Sequence, residues 1–285
     1  MSLSTFVLCA ACVLSADPAP AESKTDLHAQ WRPAFDAAAA EYTLLPSAES
    51  KPLKLVEKPI YQWARSGPHD GNNGAIYVWT NQGCAEAVAC FWRAPDGDGK
   101  VSIAHELHSL SPRVLVSQRD GLHDWKPTAG LLRRPVPDAA VPAATARARL
   151  QQMRAIGRIF AARSVSSGGE RTELRLLPQP LYRYDSTSPD VIDGALFSFV
   201  CSVGTDPEVF LLLEAVKTKQ GAQWHYAVAR FSHLNLFVDF QEREVWQAVR
   251  SPQDTIAHSA DYTYWLFHNP LEPEPIDRAR RKRSR

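Results

Sequence analysis

Two periodicities divide the chain. In LHAQWRPAFDAAAAEY, Leu27, Trp31, Phe35 and Tyr42 recur at helical spacing and define one apolar face. Pro33 interrupts that face, so the main helix is expected to begin there and run to Tyr42. A second amphipathic helix is expected within ATARARLQQMRAIGRIFAAR, where Leu150, Met153, Ile156 and Phe160 form an apolar arc. Arg147, Arg154 and Arg158 fall on the opposite side and read as a solvated face. After each helix the period changes. GAIYVW (74–79), EAVACFW (86–92), GALFSFV (194–200) and EVFLLLEAV (208–216) are short, apolar and rich in β-formers. Asn72-Asn73-Gly74, Asp193-Gly194, Gly97-Asp98-Gly99 and Gln220-Gly221 read as turns between them. The short spacing suits antiparallel hairpins rather than parallel crossovers.

The same pattern is written twice. LKLVEKPIYQW (Leu53–Trp63) aligns without a gap on LRLLPQPLYRY (Leu174–Tyr184). GAIYVW then meets GALFSF, EAVACF meets EVFLLL, Arg113–Asp120 meets Leu236–Arg243, and Trp125 meets Trp246, all at a nearly constant offset. This predicts an α+β protein built by tandem duplication, each copy a helix followed by a four- to five-stranded antiparallel meander. The helix is expected to cover one face of its sheet. The expected organisation is a signal peptide over 1–16, a first module over 17–133, a proline-rich linker over 134–144 and a second module over 145–250. A further segment over 251–270 is expected to add a closing strand, and 271–285 is too poor in apolar residues to fold.

Composition fits a globular protein, with 45% hydrophobic and 22% charged residues. The apolar run Phe6–Leu14, followed by small residues and prolines, is too short to span a bilayer and has the layout of an export signal. Cys12 admits lipid anchoring as an alternative. Of the remaining cysteines, Cys84 and Cys90 would lie about 20 Å apart on an extended strand, so any disulfide would use Cys201; buried free thiols are the other reading. Lys and Arg number 32 and Asp and Glu 31, but six cations crowd into the last eight residues. The body is therefore mildly acidic. The tail cations Arg278, Arg280, Arg281, Lys282, Arg283 and Arg285 offer a polyanion partner a site driven by counterion release.

One motif invites a metal. IAHELHSLSP (103–112) resembles a zinc helix, which needs histidines at i and i+4. Here they stand at i and i+3, and the internal alignment sets the segment against YAVARFSHL (226–234), which reads as a strand. On a strand, His105 and Leu107 face one way and Glu106 and His108 the other. No metal ligand or catalytic residue is assigned. Glu106 with His108 remains a candidate polar pair, and Asp206, Glu208 and Glu214 with Arg230 a candidate polar pocket. Candidate binding residues are thus Glu106, His108, Glu214 and Arg230. No glycine-rich phosphate loop follows a strand and no GxSxG occurs, so no cofactor is indicated. The tryptophans recur at matched places and read as core or hairpin pairs.

LRLLPQPLYRY, the DGALFSFV and GTDPEVFLLLEA runs, WHYAVARFSHLNLFV, RLQQMRAIGRIFAAR and HELHSLSP together resemble a family of uncharacterised exported proteins of planctomycete bacteria. The resemblance spans about Phe35 to Trp246 and implies export and a shared architecture, with no activity to carry over. The expected function is therefore binding or scaffolding without catalysis. A hydrolytic enzyme with a site between the modules, or polyanion binding through the tail, are the alternatives.

Overall fold

The computed structural model describes residues 24–47, 51–64, 73–95, 101–118, 125, 127, 130–201, 204–250 and 263–270. The expected signal peptide with Cys9 and Cys12, the expected Gly97-Asp98-Gly99 turn and the arginine tail lie outside them. Helix α1 (Lys24–Ala40) precedes strands β1 (Thr43–Pro46), β2 (Lys54–Leu55), β3 (Tyr61–Ala64), β4 (Asn73–Asn81), β5 (Cys84–Pro95), β6 (Val101–Ser109) and β7 (Leu115–Gln118). Then come β8 (Arg134–Pro135), α2 (Ala146–Gly157), β9 (Phe160–Val165), β10 (Arg171–Leu176), β11 (Tyr182–Arg183) and β12 (Val191–Val200). The chain closes with β13 (Pro207–Thr218), β14 (Gly221–Arg230), β15 (Asn235–Phe240), β16 (Arg243–Ala248) and β17 (Tyr264–Pro270).

The strands form a six-stranded sheet in the order β17-β6-β5-β4-β2, with β3 also on β4, and a nine-stranded sheet in the order β16-β15-β9-β10-β12-β13-β14-β8, with β11 on β12. β1 and β7 pair separately. Side-chain alternation explains why the central strands are apolar at nearly every position. Tyr77, Trp79, Ala89 and Phe91 pack with Trp31 and Phe35 of α1. Phe197, Phe199, Leu211 and Leu213 pack with Met153 and Ile156 of α2. The intervening residues Ile76, Val78, Val88, Leu196, Phe210 and Leu212 meet in a third core shared by both sheets. Each central sheet is buried on both faces, one against a helix and one against the other sheet, which gives near-continuous apolar runs in place of strict alternation.

These contacts correct the expected fold. The protein is mostly β, with 54% strand and 13% helix in two helices among the described residues. It is not a duplicated α+β unit of a helix and a plain meander. In the nine-stranded sheet, β9, β15 and β16 extend beyond β10. The six-stranded sheet is closed by β17 from the far end of the chain. The apolar arc of the second helix hid one of these strands. α2 stops at Gly157, and Phe160–Val165 buries alternate residues as β9. Phe160 therefore belongs to a period-2 segment, although it also falls on the helical face. α1 in turn runs through Pro33 instead of starting there. Burial of Trp31 and Phe35 on either side offsets the lost hydrogen bond, and Asp36 accepts a hydrogen bond from Tyr77 of β4 (2.6 Å).

Two expected turns are also corrected. Asn73-Gly74 lies within β4 and Asp193-Gly194 within β12. Their glycines allow an aromatic ring to lie on the backbone. A Cβ at Gly74 would stand 2.6 Å from the Trp63 ring, and one at Gly194 2.6 Å from the Tyr184 ring. The β4–β5 turn is instead made by Gln82 and Gly83, at φ 50° and 79°, values that suit a two-residue hairpin.

Because the third core is shared, the two sheets should unfold together. Phe210 packs on Phe231 within it, with ring centroids 4.6 Å apart. Phe210→Ala is expected to cost about 3–5 kcal/mol. Urea unfolding followed by tryptophan fluorescence and by far-ultraviolet circular dichroism should give one coincident transition at a lower midpoint. Two separate transitions would show that each half is stable alone.

Candidate functional site

Polar groups gather where the shared sheet–sheet core opens to solvent. The first cleft, of about 120 Å³, is lined by Trp63, Trp92, Glu106, Asp206, Glu208 and His233, with Phe231 and Leu266 among its apolar neighbours. Glu106 is on β6 opposite Cys90, on the face directed at the second sheet. Glu208 is on β13, two residues before the core residue Phe210 and therefore on the matching face. The cleft is thus assembled by both halves of the chain. Trp63 and Trp92 stand with centroids 6.3 Å apart, and Trp63 Nε1 donates to Cys90 Sγ (3.0 Å).

Tyr264 of the closing strand donates its hydroxyl proton to Glu106 Oε1 at 2.6 Å, and the Arg230 guanidinium lies 5.2 Å from the Tyr264 ring centroid. Arg230 also donates to the carbonyls of Ser232 (3.0 Å) and Leu234 (3.1 Å). Glu106 is only 8% exposed. Burial pushes its pKa well above the usual carboxylate range, and the Asp206 charge adds to this, against the Tyr264 hydrogen bond. Glu106 therefore tends to hold a proton beside acidic neighbours.

A second cleft, of about 430 Å³, opens elsewhere on the same interface, with Glu86, Arg113, Arg133, Glu214, Asp190 and Cys84 in its walls. Arg133 forks onto Glu214, Nε to Oε2 at 3.1 Å and Nη2 to Oε1 at 3.2 Å, and Tyr184 donates to Glu214 Oε1 at 2.8 Å. Burial opposes the Arg133 charge, but Glu214 more than offsets it and raises the Arg133 pKa. Burial pushes the Cys84 thiol up to about 11, so this cysteine stays protonated and weakly nucleophilic near neutral pH. Cys84, Cys90 and Cys201 are all buried, and Cys84 and Cys90 are free thiols.

β6 places Glu106 and His108 on one face, and Arg230 joins them around Tyr264, whose ring centroid is 6.4 Å from that of His108. His108 Nδ1 donates to the Ser109 carbonyl at 2.6 Å, while His105 faces the α1 side, where its Nδ1 lies 2.8 Å from the Tyr42 hydroxyl. Glu214 does not join the group. Arg230 pairs with Val209, five positions along β13 from Glu214, a separation of about 17 Å. Glu214 belongs instead to the second cleft. Asp206, Glu208 and Glu214, grouped by sequence proximity, are thus divided between two sites.

Sequence reading passed over Trp63 and Trp92 as core pairs, and over Tyr264, Glu86 and Arg133. Alternation held a signal for Glu86, which stands two residues before the inward-facing Val88. No local signal links Tyr264 to Glu106, because 158 residues separate them.

Glu106 sets a pH dependence of stability. Its folded pKa is above its unfolded value of about 4.5. Stability from this group is therefore full below that pH and falls as pH rises toward the folded pKa. Glu106→Gln keeps an acceptor for Tyr264 and removes the titration. Its melting temperature should match the parent near pH 4 and exceed it progressively toward pH 8, by roughly 2–4 °C per kcal/mol relieved. A pH-independent difference in calorimetric melts would contradict the assignment.

No known protein family matches the chain, and no curated protein or solved structure matches it either.

Proposed function

We propose that this is an exported binding protein whose first cleft captures a small organic cation, such as an alkylammonium or guanidinium group. The observation that carries the reading is the convergence of Trp63 and Trp92 with Glu106, Asp206 and Glu208 in one cleft. Aromatic faces attract cations through their quadrupole, and desolvation strengthens that attraction. A bound cation favours the ionised form of the carboxyl groups beside the rings and then pairs with them directly. Arg230 offsets part of this negative charge, which favours a single positive charge over a dication. The leader-like Phe6–Leu14 run and the family resemblance support action outside the cytoplasm, and the volume of about 120 Å³ suits one small group rather than a polymer.

Titration calorimetry with methylammonium and guanidinium tests the reading. Both should bind, whereas acetate should not. Asp206→Asn and Trp92→Leu should each weaken binding by about tenfold, within the range of one lost charge pair or cation–π contact. Unchanged affinity in both variants would sink the cation site.

A second reading rests on the raised pKa of Glu106 beside Asp206. A carboxyl group that burial keeps protonated, with a second carboxyl group beside it, can act as general acid in hydrolysis. Turnover on glycoside, ester or peptide panels that is lost in Glu106→Gln would favour this enzymatic reading over simple binding.

A further inference from the structure

The second cleft is more than three times the volume of the first and has a different charge pattern. Glu86 is 8% exposed. Its Oε1 faces Arg113 Nη2 at 3.5 Å. Its Oε2 is buried and takes no well-formed hydrogen bond, the Ser111 hydroxyl being close enough only to favour the ionised carboxyl in part. A buried carboxylate oxygen without a full complement of donors has lost hydration that the fold does not restore, so a group that supplies a donor is bound favourably. The nearest cations do not fill the role. Arg133 is committed to Glu214 and to the carbonyls of Leu110 (2.6 Å) and Leu131 (3.2 Å). Arg113 has 39% of its side chain exposed at the rim and faces Oε1.

We propose that the second cleft binds a free α-amino acid, its ammonium donating to Glu86 Oε2 and its carboxylate pairing with Arg113. Glu86 and Arg113 present adjacent negative and positive charge, and an α-amino acid carries its two charges on neighbouring carbons in the complementary order. Pro112, Pro189 and Val191 supply apolar wall for a side chain. A volume of about 430 Å³ lies within the usual range for small-molecule sites. Guanidinium pairing with carboxylate adds directionality. The site does not depend on the first cleft, since the two share none of their wall residues.

Proton linkage supplies a signature. Burial raises the Glu86 pKa, opposed by hydrogen bonding from Ser111 and by the charges of Arg113 and Arg133, and reinforced by Glu214. A bound ammonium favours the ionised carboxylate, so binding should release a proton where free Glu86 holds one. Affinity should then increase as pH rises toward the Glu86 pKa.

The experiment uses the full chain and the free L-amino acids, added singly at millimolar concentration, followed by thermal shift and titration calorimetry. At least one should bind, and its N-acetyl and carboxamide derivatives should bind about tenfold or more weakly, as loss of a charge-assisted hydrogen bond implies. Glu86→Gln and Arg113→Gln should each show a similar loss. Calorimetry in buffers of different ionisation enthalpy should detect proton release that disappears in Glu86→Gln. That variant removes a buried acid and is expected to fold, which circular dichroism checks. Arg171→Gln, outside both clefts, should leave amino-acid affinity unchanged. The proposal is overturned if no amino acid binds or if the blocked derivatives bind as well as the parent compound. Binding that survives Glu86→Gln, or is lost in Arg171→Gln, also overturns it.

Discussion

Burial of the second face of each central sheet is the constraint on which the rest depends. A sheet covered by one helix has an apolar face left over. Here Ile76, Val78 and Val88 from one sheet meet Leu196, Phe210 and Leu212 from the other. Each large side chain removed from water contributes about 1.5–3 kcal/mol. Neither sheet can give up its partner without exposing that surface. The closing strand β17 makes the dependence covalent as well. The chain leaves the nine-stranded sheet and returns to pair Tyr264 with His108 and Leu266 with Glu106 on the first.

Both clefts follow from this interface. Where opposing side chains are large and apolar, the sheets touch. Toward the ends of the contact, aromatic rings held over glycines take their place. Trp63 lies on Gly74 and Tyr184 on Gly194, and each ring reaches one cleft, Trp63 as wall of the first and Tyr184 through its bond to Glu214 in the second. The backbone frame is alike at the two places. Leu110 N–H donates to the Glu86 carbonyl, and Phe231 N–H to the Glu208 carbonyl, each at 2.8–2.9 Å. Ser111 Oγ accepts from Arg113 N and Ser232 Oγ from Leu234 N in the same manner. The chemistry then diverges through single side chains. Arg113 is matched by Leu234, which gives the second cleft a rim cation that the first lacks at that place.

What the sequence made legible was local. Alternation within HELHS separated His105 from Glu106 and His108 because period 2 fixes faces without tertiary information. The central strands were readable from β-rich apolar runs. The fold class was not. The segment after α2 satisfies a helical arc through Phe160 and a strand alternation through Phe160, Ala162 and Ser164, and only pairing with β10 and β15 decides between them. Asn-Gly and Asp-Gly carry turn propensity, yet here ring-over-backbone packing uses the same glycines inside strands. The site was legible in part. Glu106, His108 and Arg230 come together, but the strand that joins them, β17, is named by no feature near them in the chain. Glu214 was assigned by proximity, whereas strand rise carries it away from Arg230.

The placement of acids at this interface has a physical meaning of its own. Replacing a buried carboxyl with an apolar group of similar size is often neutral or stabilising. A fold whose stability comes from sheet–sheet burial would gain by such replacement at Glu86 and Glu106. Both carboxyls are instead held at the edge of the apolar core, where desolvation raises their pKa. Tyr264 and Arg230 offset part of the burial of Glu106, whereas one oxygen of Glu86 takes no well-formed hydrogen bond. Contrast Glu214, whose two oxygens are satisfied by Arg133 and Tyr184 and which therefore needs nothing further. Within a single interface, then, Glu214 is completed by the fold and Glu86 is left short. It is the incomplete acid, in the wall of a cleft, that has free energy to gain from a ligand that brings a positive charge.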